Sequence, residues 1–168
     1  MKDLPQRKEI RLEGYDYSEN GAYFVTICVK GRHEMLGSVV GGGVLDAPRI
    51  ELSALGKIVA DRIDEMNGIY QHVSVDKYIV MPNHVHLILF IENPGRSRTP
   101  APTSANATIP AFISTLKRFT NQQYGQNFWQ RSYHDHIIRN DAEYRQIWPC
   151  IDTNPLRWEE DIYYTSYT

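Results

Sequence analysis

Tyr78-Ile79-Val80-Met81-Pro82-Asn83-His84-Val85-His86-Leu87-Ile88-Leu89-Phe90 is the stretch whose reading decides the fold. From His84 onward it is apolar and β-branched enough for a buried strand, yet it carries two histidines at i and i+2. Side chains alternate along a strand, so both imidazoles share a face with Ile88 and Phe90, while Val85, Leu87 and Leu89 take the other. Cover on both faces predicts a strand interior to its sheet. Pro82-Asn83 marks a bend leading into it, which sets the pair at the strand's start, near a rim where ligands enter. Two parallel imidazoles on rigid backbone are competent ligands for a divalent cation, because neutral ring nitrogen suits borderline metals and the strand prevents splaying. Taken alone, a His-x-His pair is equally compatible with plain packing, so the surrounding sequence has to decide.

A chain of 168 residues suits one domain, spanning 1–168, and is short for two. Its 42% hydrophobic and 23% charged residues are ordinary globular values. No run approaches membrane-spanning length, and Met1-Lys2-Asp3-Leu4-Pro5-Gln6-Arg7-Lys8 lacks an apolar signal core, so the expectation is a soluble cytoplasmic protein without membrane association. Cys28 and Cys150 make no metal spacing and are expected as free thiols. The formal net charge is -2, but from Arg96 to Arg157 eight basic residues face four acids. That local excess permits a phosphate-binding surface.

Residues 1–20 are polar and read as an arm over the surface. After the Asn20-Gly21 turn, Ala22-Tyr23-Phe24-Val25-Thr26-Ile27-Cys28-Val29 is a strand. Lys30-Gly31-Arg32 predicts a hairpin turn into a second strand from Met35 to Val40. Gly41-Gly42-Gly43 reads as a hairpin tip, since the GKS/T ending and helix start of a P-loop are missing. From Ser53, Leu55, Ile58, Val59, Ile63 and Met66 recur at three and four, a helix ended by Asn67-Gly68. Residues 92–108 form a linker loop in which Arg96 and Arg98 can grip a nucleic-acid backbone. Ile109 to Tyr124 is a second helix, with Phe112, Ile113, Leu116 and Phe119 inward and Lys117-Arg118 outward. Tyr133 to Ile138 is a further strand whose own pair, His134 and His136, could supply a general acid or base. Asn140 or Asp141 caps a last helix with Tyr144, Ile147, Trp148 and Ile151 on its apolar face. This order predicts an α+β fold: a mainly antiparallel sheet with helices packed on its faces.

Val80-Met81-Pro82-Asn83-His84-Val85-His86-Leu87 resembles the His-hydrophobe-His (HUH) motif of the single-tyrosine transposases, above all their REP-associated, or RayT-like, branch. Trp129-Gln130-Arg131-Ser132-Tyr133-His134-Asp135-His136-Ile137-Ile138-Arg139-Asn140 is a second match, and Arg11 to Tyr17 with Gly21 to Cys28 is similar to the branch's amino-terminal signature. The resemblance spans nearly the whole chain and implies a ferredoxin-like fold. It also implies a Mg or Mn ion bound by His84, His86 and Asn154. The implied activity is cleavage and rejoining of single-stranded, hairpin-forming repeat DNA, through a covalent phosphotyrosine that leaves a free 3′ hydroxyl. A basic helix carrying Lys117 and Arg118 would lie along the DNA, with Arg96, Arg98, Arg131 and Arg139 as further contacts. On the family's homodimer the sequence is silent.

One position departs from the family. The nucleophile belongs to a segment of the form acidic-Tyr-Ile-x-x-Asn-Pro, which here reads Pro149-Cys150-Ile151-Asp152-Thr153-Asn154-Pro155. Cys150 therefore stands in the tyrosine's place, with Asn154 one helical turn on. Cysteine is more acidic than tyrosine, at pKa values of about 8.5 and 10, but its soft sulfur suits neither phosphorus nor an oxygen-preferring metal. A small buried apolar role is the favoured expectation for it. Pro149 removes a backbone hydrogen bond at a cost of about 3 kcal/mol, which predicts a kink or restart immediately before Cys150. Two other readings stay open: a non-catalytic nucleic-acid-binding protein on this scaffold, and a small metallohydrolase with a non-nucleic substrate.

Overall fold

Two β-α-β units interleave through one sheet in the computed structural model, which describes residues 19–43, 46–92 and 108–164. The first unit is β1 (Gly21–Cys28), α1 (Ala54–Ile69) and β4 (Val73–Val80), with β2 (Gly37–Val40) and β3 (Arg49–Leu52) inserted after β1. The second is β5 (His84–Ile91), α2 (Thr108–Tyr124) and β6 (His134–Ile138), followed by α3 (Asp141–Thr153) and a closing 3-10 helix, Asn154–Glu160. The sheet order is β4-β5-β1-β6 with every neighbouring pair antiparallel, the ferredoxin-like arrangement. The arm residues 1–18 and the loop 93–107, with Arg96 and Arg98, lie outside the described residues.

Alternation along β5 divides the molecule as its sequence requires. Val85, Leu87, Leu89 and Ile91 join Tyr23, Val25 and Ile27 of β1 in the main core, under Val59, Ile63 and Met66 of α1 and Phe112, Ile113 and Leu116 of α2. On the opposite face Ala22, Ile88 and Ile138 pack under Ile151 of α3, with Phe24, Phe90, Tyr144 and Ile147 around them. Register places Cys28 opposite His84, and Thr26 between His86 and His134. The histidine face thus has an apolar half under α3 and a polar half at the end where β5 begins.

Several expectations are corrected. The strand at Gly37 does not return beside β1: Lys30–Arg32 is a 3-10 turn with Gly31 at φ 64, and β2 pairs with β3 in a separate two-stranded sheet. Gly41 and Gly42, at φ 88 and 97, do form its tip. Asn67-Gly68 does not stop α1, which runs on to Ile69; the Asn67 carboxamide instead accepts the Val75 N–H beside the β4 bulge. α3 continues unbroken through Pro149. Arg145 and Pro149 both lie on its exposed side, where water can take the carbonyl that the ring leaves unpaired, and the packing of Ile147 and Ile151 on either side of Pro149 holds the helix through it. Trp148 is 40% exposed rather than inward, under the Lys77 ammonium. Among the described residues no helix is long and apolar enough to cross a membrane.

Ser53 fastens the small sheet to α1: its hydroxyl caps the helix by accepting from the Gly56 N–H at 3.0 Å and donates to the Met35 carbonyl at 2.7 Å. Gly56 lets the two backbones meet, since a Cβ there would stand 1.9 Å from the Leu36 carbonyl oxygen. Gly56→Ala should therefore destabilise the protein by about 2 kcal/mol or more, read as a lowered urea midpoint at unchanged slope.

Candidate metal and nucleic-acid site

The site grows from Asn83. Its side chain is fully buried, and its amide nitrogen donates to the Arg32 carbonyl at 3.0 Å and to the Tyr163 carbonyl at 2.8 Å. Those two bonds turn its oxygen toward His84 Nδ1, 2.9 Å away, so that nitrogen carries the proton and Nε2 carries the lone pair. His86 Nδ1 lies 2.8 Å from Thr26 Oγ1, and the two Nε2 atoms are 3.1 Å apart. Asp161 Oδ2 stands 3.8 Å from His84 Nε2. One ligand atom from each of His84, His86 and Asp161 lies within 4.8 Å of the others.

This donor set fits a divalent cation. Thr26 can either donate to His86 Nδ1 or accept from it. In the first case His86 Nε2–H bonds to His84; in the second, two ring lone pairs and a carboxylate converge, which is favourable only around positive charge. A divalent cation would therefore select the second tautomer, in which both Nε2 lone pairs face it. Burial drives both imidazoles toward the neutral, ligand-competent form. His84 lies well below the usual histidine range through burial, then through the charges of His86 and Arg32, and burial pushes His86 down to about 4. Burial also raises the Asp161 carboxyl.

The rim expected to be open is covered, leaving His84 0% and His86 7% exposed. Phe24 stacks on His86 with ring centroids 5.0 Å apart. From the carboxyl-terminal segment, Trp158 lies 5.9 Å from His84, and Tyr163 lies 4.7 Å from His84 and 6.1 Å from His86. Asn154 caps α3, half-buried, and its side chain makes no hydrogen bond among the described residues. Asp161 escaped the sequence reading because no spacing rule links it to β5. Cys150 is exposed, correcting the expectation of a buried residue; its Sγ donates to the Gln146 carbonyl of its own helix at 3.1 Å. The second histidine pair stays near the surface. His136 is bonded to Glu143, and His134 lies 6.2 Å from the Tyr163 ring.

Lys117, Arg118 and Arg131 come together, with Lys30, around a cleft of about 660 Å³. Lys30 follows β1 directly, and its backbone N–H bonds to Phe128, while that of Val29 bonds to Asn83. Lys30 brings one edge of the cleft to the end of the sheet where β5 begins, while none of His84, His86 and Asp161 lines it. Lys117 does not point outward as expected. The loop before β6 folds over it, and its ammonium donates to the carbonyls of Gln130 and Ser132, both at 2.9 Å, while burial pushes it down to about 8. Arg139 follows the other end of β6, where its N–H bonds to Glu143.

The buried imidazoles make stability depend on pH. The unfolded chain takes up protons below the ordinary histidine value of 6.5, whereas His86 resists until about 4. More protons are bound unfolded than folded in that window, so stability of the metal-free protein falls as pH drops from 6.5 toward 4, by up to about 1.4 kcal/mol per pH unit for each ring. The raised Asp161 carboxyl opposes this at the acid end. Urea midpoints at pH 7 and 5 measure the effect, and His86→Phe should shrink it.

No family model matches the chain. It is 30% identical over 176 residues to an uncharacterized protein of Haemophilus influenzae (strain ATCC 51907 / DSM 11121 / KW20 / Rd), spanning 96% of this chain and 94% of that one. It is 23% identical over 148 residues to the REP-associated tyrosine transposase of Escherichia coli (strain K12), across 87% of this chain and 74% of the relative. Its fold matches that of a REP-associated tyrosine transposase solved with a REP hairpin, at a TM-score of 0.64 and 18% identity, over 88% of this chain and 73% of the other. The HUH phrase at the head of β5, the ferredoxin-like sheet and the relatives aligned over most of their length agree: the chain is similar in sequence and in fold to the REP-associated tyrosine transposases.

Proposed function

We propose that this protein binds single-stranded, hairpin-forming DNA at the histidine end of its sheet and cleaves and rejoins it with the help of a divalent cation, Mg or Mn. The observation that carries this reading is the meeting of His84 Nε2 and His86 Nε2 at 3.1 Å beside an acidic side chain. His84 and His86 would hold the cation. Asp161 is the better-supported third ligand because its carboxylate already faces the pair, with Asn154 as the alternative that the family motif names. Bound there, the cation would polarise the scissile phosphate. Asn83 and Thr26 keep the imidazoles aimed. Lys30, Arg118 and Arg131 would track the backbone along their cleft, while Lys117, its protons given to carbonyls, contributes field more than contact. Arg139 would meet DNA beyond that groove, and Arg96 and Arg98, outside the described residues, are further candidate contacts.

The exposed thiol at Cys150 supports a second reading, in which the protein holds the hairpin without cutting it. Both readings require DNA binding, so binding is tested first, by fluorescence anisotropy with single-stranded hairpin oligonucleotides. Affinity should fall steeply with salt, and Arg118→Ala and Arg131→Ala should each reduce the slope of log K against log salt by about 0.7 to 1. His84→Ala should leave binding in chelator intact and remove any response to Mn. Salt-insensitive binding, or no competition by hairpin oligonucleotides, would sink both DNA readings and leave a metallohydrolase of another substrate.

A further inference from the structure

Strand cleavage needs a nucleophile, and position 150 does not offer a suitable one. Cys150 presents a soft sulfur, directed at its own helix. Several described phenols are bonded away from the histidines: Tyr23 donates to Glu19, Tyr70 bonds to Thr115, Tyr78 to Asp64, and Tyr144 donates to Asp76. The phenol of Tyr163 bonds instead to Thr26, beside His86. Among the described residues, Tyr163 is the tyrosine whose ring touches both HUH histidines.

Resting on the cleavage reading above, we propose that Tyr163, from the carboxyl-terminal segment, is the nucleophile in place of the tyrosine missing at position 150. The ring is fixed by the same groups that aim the metal ligands. Asp161 accepts the Tyr163 N–H on Oδ1 at 2.7 Å while its Oδ2 faces His84. Asn83 donates to the Tyr163 carbonyl while its oxygen orients the His84 ring. Arg32 donates to the Ile162 carbonyl at 2.8 Å and lies over the Tyr163 ring, 5.4 Å from its centroid, a cation whose field favours negative charge on the phenol. Ile162 is 76% exposed and Tyr163 8%, so the phenol points inward from a segment that itself lies at the surface. A group tied on both sides to the ligand residues is pre-positioned for in-line attack.

The step balances without a further reactant. Tyr163 Oη attacks phosphorus, the Oη–P bond forms as the P–O3′ bond breaks, the phenolic proton leaves to water and the departing 3′ oxygen takes one up. The product is a 5′-phosphotyrosine and a free 3′ hydroxyl, and the reverse attack by a 3′ hydroxyl rejoins the strand.

The test incubates full-length protein with labelled single-stranded hairpin oligonucleotides and Mn, separates covalent adducts on a denaturing gel and maps the nucleotidyl peptide by mass spectrometry. Wild type and Cys150→Ser should form the adduct at Tyr163, and Tyr163→Phe should lose it by at least about 100-fold while remaining folded by circular dichroism and keeping its hairpin affinity. Mapping in the wild type does not depend on any variant folding. An adduct on another residue, or one retained in Tyr163→Phe, overturns the assignment and leaves the cleavage reading standing. So does an adduct formed by the Pro149→Glu, Cys150→Tyr double variant when wild type forms none. Hairpin binding without an adduct from either protein overturns both the assignment and the cleavage reading.

Discussion

A single buried carboxamide sets the terms for the rest of the site. Asn83 has no contact with solvent, so each of its polar atoms must find a partner inside the protein. Its two N–H groups are spent on carbonyls from opposite sides, one from the turn after β1 and one from the carboxyl-terminal segment, and only then is its oxygen left to meet His84. Leaving such a group half-satisfied costs about 1–3 kcal/mol. Sheet, turn and terminal segment are thus held in one arrangement, and the imidazole's proton is fixed to one nitrogen.

Division of labour follows from the two faces of β5. The face under α1 and α2 is wholly apolar and supplies stability. The face under α3 is apolar along only half its length; at the other half the register sets a cysteine, a threonine and histidines side by side, roofed by Trp158 and Tyr163. Polar groups so buried are tolerable because each is hydrogen-bonded and both imidazoles are neutral. Chemistry at such a place rests on a framework that does not depend on it.

The sequence made the strand–helix order and the HUH pair legible because both are written in local periodicity. Alternation over eight residues fixes which side chains share a face, and helical spacing found the inward positions of α1 and α2. What it could not reveal comes from loops and from the chain's far end. Lys117 sits at a surface position by period alone, yet the loop before β6 closes over it. Arg49 to Leu52 is too short a run to announce a strand ahead of α1. Asp161 and Tyr163 reach β5 through tertiary folding, with no motif to betray them. Pro149 misled in the opposite sense: its local cost is real, but Ile147 and Ile151 on either side pack against the sheet and carry α3 through it.

Because Trp158, Asp161 and Tyr163 roof the histidines, the centre is completed by a segment that follows every strand of the sheet in sequence. Until that segment docks, Asn83 lacks one acceptor and His84 its acidic neighbour. A chain cut before Trp158 would keep the four strands and the basic cleft but lack a finished centre, so a nick far from the histidines in sequence is enough to disarm them.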